Sequence, residues 1–457
     1  MVRRAALTAL FVAMLAAPAA AAPVRGQALM PGVVYSKQVD FMGHGPVVLN
    51  VVSAPRPGGL YGIRTALSNG AVPGRERLTD MESALSASTT VVGINGDLFD
   101  TRWGTPSGVL MRGGVLVTGQ RAGRSATGFD SGGNLHVDRL TVSATWKGTG
   151  QFRPMGLNEQ PKKSAVTLYT SAWGATTPTE VGAVTEVTLA PFPATRPNAT
   201  LTAPAVQAAQ TGAQPIPPDG AVLVARGNQA SVLSAESPVG ATVSVRLILT
   251  PRWADVVEAV GGGPVLVRNG KPVFRANETF TASQLFTRTA RSAVGMTTDG
   301  HILLVTVDGG RPGYSLGVTN FELALALMRL GARDASALGT GGSAALAFDG
   351  KLLSRPSGDA SVADALFITY DGVVAPPPTV NGTNVTLAYK VVRPSHVTAL
   401  LTAPDGTVAT IDDGSHAAGV YTFDRQSLAD GVWRFSIAAD DDLGRHSTAD
   451  RSFTIGR

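Results

Sequence analysis

"ALGTGGSAALAFDGKLLSRPSGD", residues 337–359, sets an uncharged glycine-rich loop between two apolar runs. Loops of this composition hold an anion or leave room for a substrate, and the commonest ones open a helix whose N-terminal amides face the ligand. Here no helix follows. "AALAFDGKLL" reads as a hairpin turning at Asp349-Gly350. The Gly-Lys-Ser/Thr ending of a nucleotide-binding P-loop is missing as well. A Walker-type site and a dinucleotide-binding βαβ unit are both excluded, and the loop belongs among strands.

Working outward, two further apolar runs end in the same manner. "TTVVGI" stops at Asn95-Gly96-Asp97 and "HILLVTV" at Asp308-Gly309-Gly310, beside a third glycine run at Gly261-Gly262-Gly263-Pro264. Each ending alone is an ordinary turn, since Asp-Gly is a common turn dipeptide. Together, buried strands that finish in carboxylates and glycines predict polar groups gathered at one sheet edge, where a ligand can approach. Helices are few. Residues 79–88 read as one, with Thr79 and Glu82 spaced as a capping box. A second box at Thr319 and Glu322 leads into "LALALMRL" and stops at Gly331. Residues 194–219, rich in Ala, Pro, Thr and Gln, read as an exposed loop or strand connection. Strands with scattered helices predict an α+β fold for this part.

The chain has 457 residues, enough for two or three domains. Only 16% are charged, and the 53 glycines and 29 prolines favour short strands and turns over long helices. The net charge of +5 is spread thinly, with no basic run and no aromatic-interleaved basic patch, so nucleic acid is not an expected partner. There is no cysteine, which removes thiol catalysis, Cys-ligated zinc and iron–sulfur chemistry. At the N-terminus, Arg3 and Arg4 precede an apolar run, and Ala19-x-Ala21 and Ala20-x-Ala22 both fit a small-residue cleavage site. We read residues 1–22 as a signal peptide, expect a secreted or cell-surface protein, and expect no membrane span in the mature chain.

Ala375-Pro-Pro-Pro378 is a stiff spacer and marks the first boundary. The expected organisation is therefore a main domain over 23–374, a proline-rich linker over 375–383 and a small all-β sandwich over 384–457. In the last part, strands such as "VTLAYKVV" and "GVWRFSIAAD" alternate with Asp-Gly turns. That part resembles the FlgD-type immunoglobulin-like modules appended to secreted bacterial proteins.

No Gly-x-Ser-x-Gly elbow supports a hydrolase triad, and the six histidines are dispersed without a metal-ligand pair at helical spacing. No metal and no cofactor are expected. Carboxylates, arginines and backbone amides remain, a set suited to hydrolysing a bond next to an anionic group. From about residue 90 to 372 the chain resembles the phosphodiester glycosidases, relatives of the enzyme that uncovers mannose 6-phosphate. The matching elements stand in family order: "GINGDLFDTRWGTPSGVLMRGG", "AVGGGPVLVRNGKPV", "RSAVGMTTDGHILLVTVDG", "YSLGVTNFELALALMRLGARDASAL" and "GGSAALAFDGKLLSRPSGD…VADALFI".

The resemblance implies hydrolysis of a sugar-1-phosphodiester in a phosphorylated glycan. It implies Arg291 as a bidentate phosphate clamp and the amides of Gly341, Gly342 and Ser343 as an anion nest. It also implies Asn95 as a ligand to a sugar hydroxyl, and Asp97 and Asp308 as the acid–base pair. Glu322 falls on a family position too, but its capping-box spacing favours a structural role. One departure stands out. The family loop reads Asp-Gly-Gly-Gly-Ser, whereas this chain has Gly339-Thr340-Gly341-Gly342-Ser343. The departure motivates a rival reading, a phosphoglycan-binding protein that has lost turnover. A second rival is an extracellular structural or adhesion protein.

Overall fold

The computed structural model describes residues 26–456 apart from 121, 180, 181 and 274–276; the expected signal peptide lies outside the described residues. The run "HILLVTV" supplies the strand Ile302–Val307, buried along its whole length. Ile302 and Leu304 face one way, into a core with Val52, Ile94, Val294 and Leu366. Leu303, Val305 and Val307 face the other way, onto Leu323 and Leu327. Burial on both faces is why the sequence shows an unbroken apolar run in place of alternation.

This strand lies in an eight-stranded antiparallel sheet, between Gly45–Ala54 and Arg291–Thr297, with Ala332–Thr340 next in order. Against one face packs a five-stranded sheet, which orders Lys351–Leu352, Leu346–Phe348, Thr90–Asn95, Asp364–Tyr370 and Tyr61–Leu67. The helix Asn320–Arg329 covers the outer face of the first sheet, and the helix Leu78–Ser86 covers that of the second. Helices of nine and ten residues are too short to persist alone, so packing holds them there. A second pair of sheets, of five and eight strands, grows from residues 110–261 around its own core of Met111, Trp146, Leu168, Leu223 and Leu247.

The α+β expectation is corrected by this architecture. The fold is β-rich, with four α-helices among the described residues, the longest spanning ten residues. Residues 199–209 account for part of the difference. They form an eleven-residue strand in which Leu201, Ala203 and Ala205 turn inward, so the small apolar side chains supply an alternation that composition alone concealed. The Thr79–Glu82 capping box is also absent. The helix starts at Leu78 without a side-chain cap, and buried Glu82 instead accepts the Gly350 amide at 2.7 Å. The Thr319–Glu322 box does form, and Glu322 additionally binds Arg288 at 2.6 Å.

Past residue 375, a three-stranded and a four-stranded antiparallel sheet close on one core that includes Leu387, Tyr389, Phe435 and Ile437. Val373 and Ala375 are buried in that same core. Within the proline-rich stretch, Thr379–Asn381 pairs with Asn384–Val391. Lys390 ties this body to the first one, donating to the Ser86 carbonyl at 2.6 Å.

Candidate active site

The glycine-rich loop leaves the strand Ala332–Thr340 through a single 3-10 turn, Gly341–Ser343. Gly341 has φ +74, the left-handed region that glycine occupies without strain. Its amide is taken by the Ala290 carbonyl at 2.9 Å, and Ser343 Oγ donates to Thr340 O at 3.2 Å. Gly342 and Gly358 approach backbone to backbone, so that a Cβ on Gly342 would lie 3.1 Å from Gly358 Cα.

Asn95 joins the strand ends. Its Oδ1 accepts Ser292 Oγ at 2.6 Å and the Ala345 amide at 3.1 Å, while its Nδ2 donates to Gly96 O and to Gly339 O at 3.3 Å. The two sheets are thus stitched together at the edge the sequence pointed to. Both ends of the amide are occupied, and the side chain is buried. Gly339 lies inside this stitch. A Cβ there would sit 2.8 Å from Asn95 Nδ2, 2.9 Å from Asp97 O and 3.1 Å from Gly96 O. Where the family carries an aspartate, this chain has backbone packed too closely for one.

Asp97 is buried and paired with Arg124 at 2.7 Å. The same guanidinium donates to Gly262 O at 2.8 Å, and its carbon stands 4.8 Å from the Phe280 ring centroid. A second carboxylate, Asp364, accepts the Asp97 amide at 2.9 Å. Burial raises the Asp97 carboxyl above its ordinary range, with Arg124 opposing. Burial and then the charge of Asp97 hold Asp364 well above its own. One carboxylate backed by an arginine, beside one whose carboxyl is pushed well up, has the arrangement of an acid–base pair. It is also enclosed. Cβ atoms on Gly108 and Gly261 would lie 2.6 and 2.4 Å from Asp97 Oδ2, so the two glycines close over it. A hollow of about 810 Å³ opens nearby, lined by Phe99, Asp100, Gln120 and Glu159 among others. Gln120 links it to the pair, accepting the Val109 amide and donating to Arg124 O.

Arg291 is committed to backbone carbonyls. Its guanidinium donates to Val318 O at 3.1 Å, Gln284 O at 2.8 Å and Thr287 O at 2.8 Å. Two of these carbonyls belong to the end of the short helix Ala282–Phe286, where backbone acceptors lack intrahelical partners. Burial lowers its pKa to about 10, which leaves it charged at neutral pH. Asp308 is saturated too: Oδ1 accepts Asn50 Nδ2 and the Arg355 amide, each at 2.9 Å, and Oδ2 accepts Tyr314 OH at 2.7 Å. Unlike Asp97, it reaches the half-buried surface through Tyr314. Residues 355–358 bridge the two parts of the edge, with the Arg355 amide on Asp308 and Gly358 against Gly342.

The structure therefore brings Asn95, Asp97, Asp308, Arg291 and the 341–343 loop to one edge. Most of their polar atoms serve to hold it together. Arg124, Asp364, Tyr314 and Arg355 were not singled out by sequence reasoning. A signal existed for two of them: Asp364 is the one charged residue of the quoted run "VADALFI", and Arg355 follows the opening hairpin.

This geometry defines a β-rich protein with a glycine-rich turn at the meeting point of two sheets. Residues 196–369 match the family model for phosphodiester glycosidases. The Asn95–Asp97 strand end falls outside the matched segment yet bonds to Ser292, Gly339 and Ala345 within it. Over 107 residues the chain is 33% identical to the SPbeta prophage-derived uncharacterized protein YomE of Bacillus subtilis (strain 168), a match covering 23% of this chain and 16% of that protein. A solved structure from Synechocystis is 26% identical, with a TM-score of 0.63 over 77% of this chain and 64% of that one. Another, from Burkholderia pseudomallei K96243, shares the fold at 23% identity and a TM-score of 0.57, over 71% and 74% of the two chains.

Proposed function

We propose that this protein is a secreted hydrolase that cleaves sugar-1-phosphodiester bonds in phosphorylated glycans or exported polysaccharides. The observation that carries the reading is the edge where Asn95 binds Ser292, Gly339 and Ala345, because it sets the family-like strand ends and the 341–343 loop side by side. In this proposal the phosphate rests on the loop. Asp308 acts through Tyr314 at the open face, and the Asp97–Asp364 pair behind it fixes Arg124 and the turn at Gly262. Export is part of the proposal and rests on the basic, apolar and small-residue order of residues 1–22.

A binding protein without turnover is the second reading. It is favoured by the saturation of Asp308 and the enclosure of Asp97 by Gly108 and Gly261. Release of free glucose and the alkyl phosphate from a glucose-1-phosphodiester, followed by chromatography, separates the two. Turnover that falls about 100-fold or more in Asp308→Asn supports the hydrolase. Saturable binding of the diester without turnover supports the binder.

A further inference from the structure

We propose that Lys37, Arg311 and Arg355, gathered around Tyr314, form an anion subsite for the phosphodiester of a glycan. The proposal rests on the functional reading above and names the residues that take the charge.

Three segments contribute. Lys37 comes from the strand Val33–Met42, Arg311 from the turn after Asp308, and Arg355 from the loop after the opening hairpin; all three are exposed. Lys37 Nζ stands 5.3 Å from the Tyr314 ring centroid, and the Arg355 guanidinium carbon 5.0 Å. Arg311 donates to Pro356 O at 3.2 Å, which places it on the Arg355 loop. Several other surface arginines are matched with carboxylates: Arg153 with Glu236, Arg288 with Glu322, Arg393 with Asp442 and Arg434 with Asp450. Among the described residues, Lys37, Arg311 and Arg355 form no such pair.

The nearby carboxylate does not cancel the patch. Asp308 is buried, and its oxygens are turned onto Asn50, Tyr314 and the Arg355 amide. The Tyr314 hydroxyl, pushed up to about 12 by burial and then by Asp308, stays a neutral donor and keeps the ring fixed. Tyr35, two residues before Lys37 and so on the same strand face, braces the far side by donating to Asn50 Oδ1 and Leu353 O at 3.0 Å each. The outcome is one rigid aromatic plate flanked by cations. Exposed guanidinium groups without a carboxylate partner offer charge-assisted, bidentate contacts to phosphate oxygens.

Position links the plate to the glycine loop. Ser357 lies beside Gly310, and Gly358 touches Gly342. An ester lying along residues 355–358 meets the arginines at one end and the 341–343 turn at the other. Arg291, spent on backbone carbonyls, leaves this role open.

The test is calorimetric titration of the full chain and of the double variant Arg311→Gln/Arg355→Gln. The probes are a methyl glucose-1-phosphodiester, neutral methyl glucoside and phosphatidylglycerol vesicles. Circular dichroism melts check that the variant is folded. Affinity for the diester is expected to fall about 10-fold or more per arginine removed, with the residual binding less sensitive to salt. Neutral glucoside should be unaffected. Unchanged diester affinity in the folded double variant overturns the proposal. So does absence of saturable diester binding by the wild type, or binding of the vesicles alone. The hydrolase reading fails separately. Arginine-dependent binding without turnover keeps the subsite and sinks the enzyme, whereas turnover with an unchanged KM in the double variant keeps the enzyme and sinks the subsite.

Discussion

Replacing Gly339 with aspartate gives the loop the residue its family carries, and from sequence alone that change looks like a repair. The structure predicts damage. A Cβ at this position meets Asn95 Nδ2 at 2.8 Å, Asp97 O at 2.9 Å and Gly96 O at 3.1 Å, and two of those atoms are backbone. The Gly339 amide also donates to Gly96 O at 2.7 Å, so the strand cannot back away without breaking that bond. Gly339→Ala, which adds only the Cβ, should cost about 1–3 kcal/mol as overpacking. Gly339→Asp adds a carboxylate facing two carbonyl oxygens, with the buried carboxylates of Asp97 and Asp364 close by, and should cost several kcal/mol more. Urea denaturation of both variants, followed by tryptophan fluorescence, measures the two steps, and a hydrolysis assay runs alongside. Wild-type midpoints for both variants, or a gain in hydrolysis by Gly339→Asp at unchanged stability, would refute the reasoning.

Arg291→Gln should lower stability by about 1.5–3 kcal/mol, because the buried Val318 carbonyl and the part-buried carbonyls of Gln284 and Thr287 lose a charged donor. Diester affinity of the protein that remains folded should be unchanged, and a loss of affinity measured by titration would return Arg291 to the phosphate. Asp364 is held well above the ordinary carboxyl range, so the folded state binds its proton more tightly than the unfolded one. Its contribution is fully present below about pH 4 and is lost as pH rises through the folded pKa. Asp364→Asn should therefore show a shallower fall in stability across that rise than the wild type, as read from urea midpoints at stepped pH. The fragment 372–457 should unfold cooperatively, since it retains Val373, Ala375 and the Thr379–Asn381 strand, while 384–457 should be less stable by calorimetry.

The strands of the main core were legible because their chemistry is one-sided in sequence. "HILLVTV" and "TTVVGI" are built mainly of apolar residues and threonine with no charged residue, and burial on both faces follows from that. The strand at 199–209 was not, because alanine and proline weaken the contrast on which period-two reading depends. Capping boxes show the same limit. Thr319–Glu322 and Thr79–Glu82 share a spacing, yet one caps a helix and the other sends its glutamate across to Gly350. Spacing records what is possible locally, and the tertiary partner decides between the possibilities.

The site obeys a related rule. Asn95, Asp97, Arg291 and Asp308 stand at strand ends, where a polar residue in an apolar run draws attention as chemistry. A buried edge between two sheets demands the same residues for another reason, because every backbone group left at a strand end needs a partner. Sequence cannot separate a side chain aimed at a ligand from one aimed at a carbonyl. What separates them is saturation. Arg291 makes three bonds to backbone and Asp308 accepts three donors, whereas Lys37, Arg311 and Arg355 carry charge into solvent without a carboxylate to answer it. Arg291 therefore belongs to the frame, Asp308 reaches the open face only through Tyr314, and the cations of the strand and loops beside it are the ones free to meet an anion.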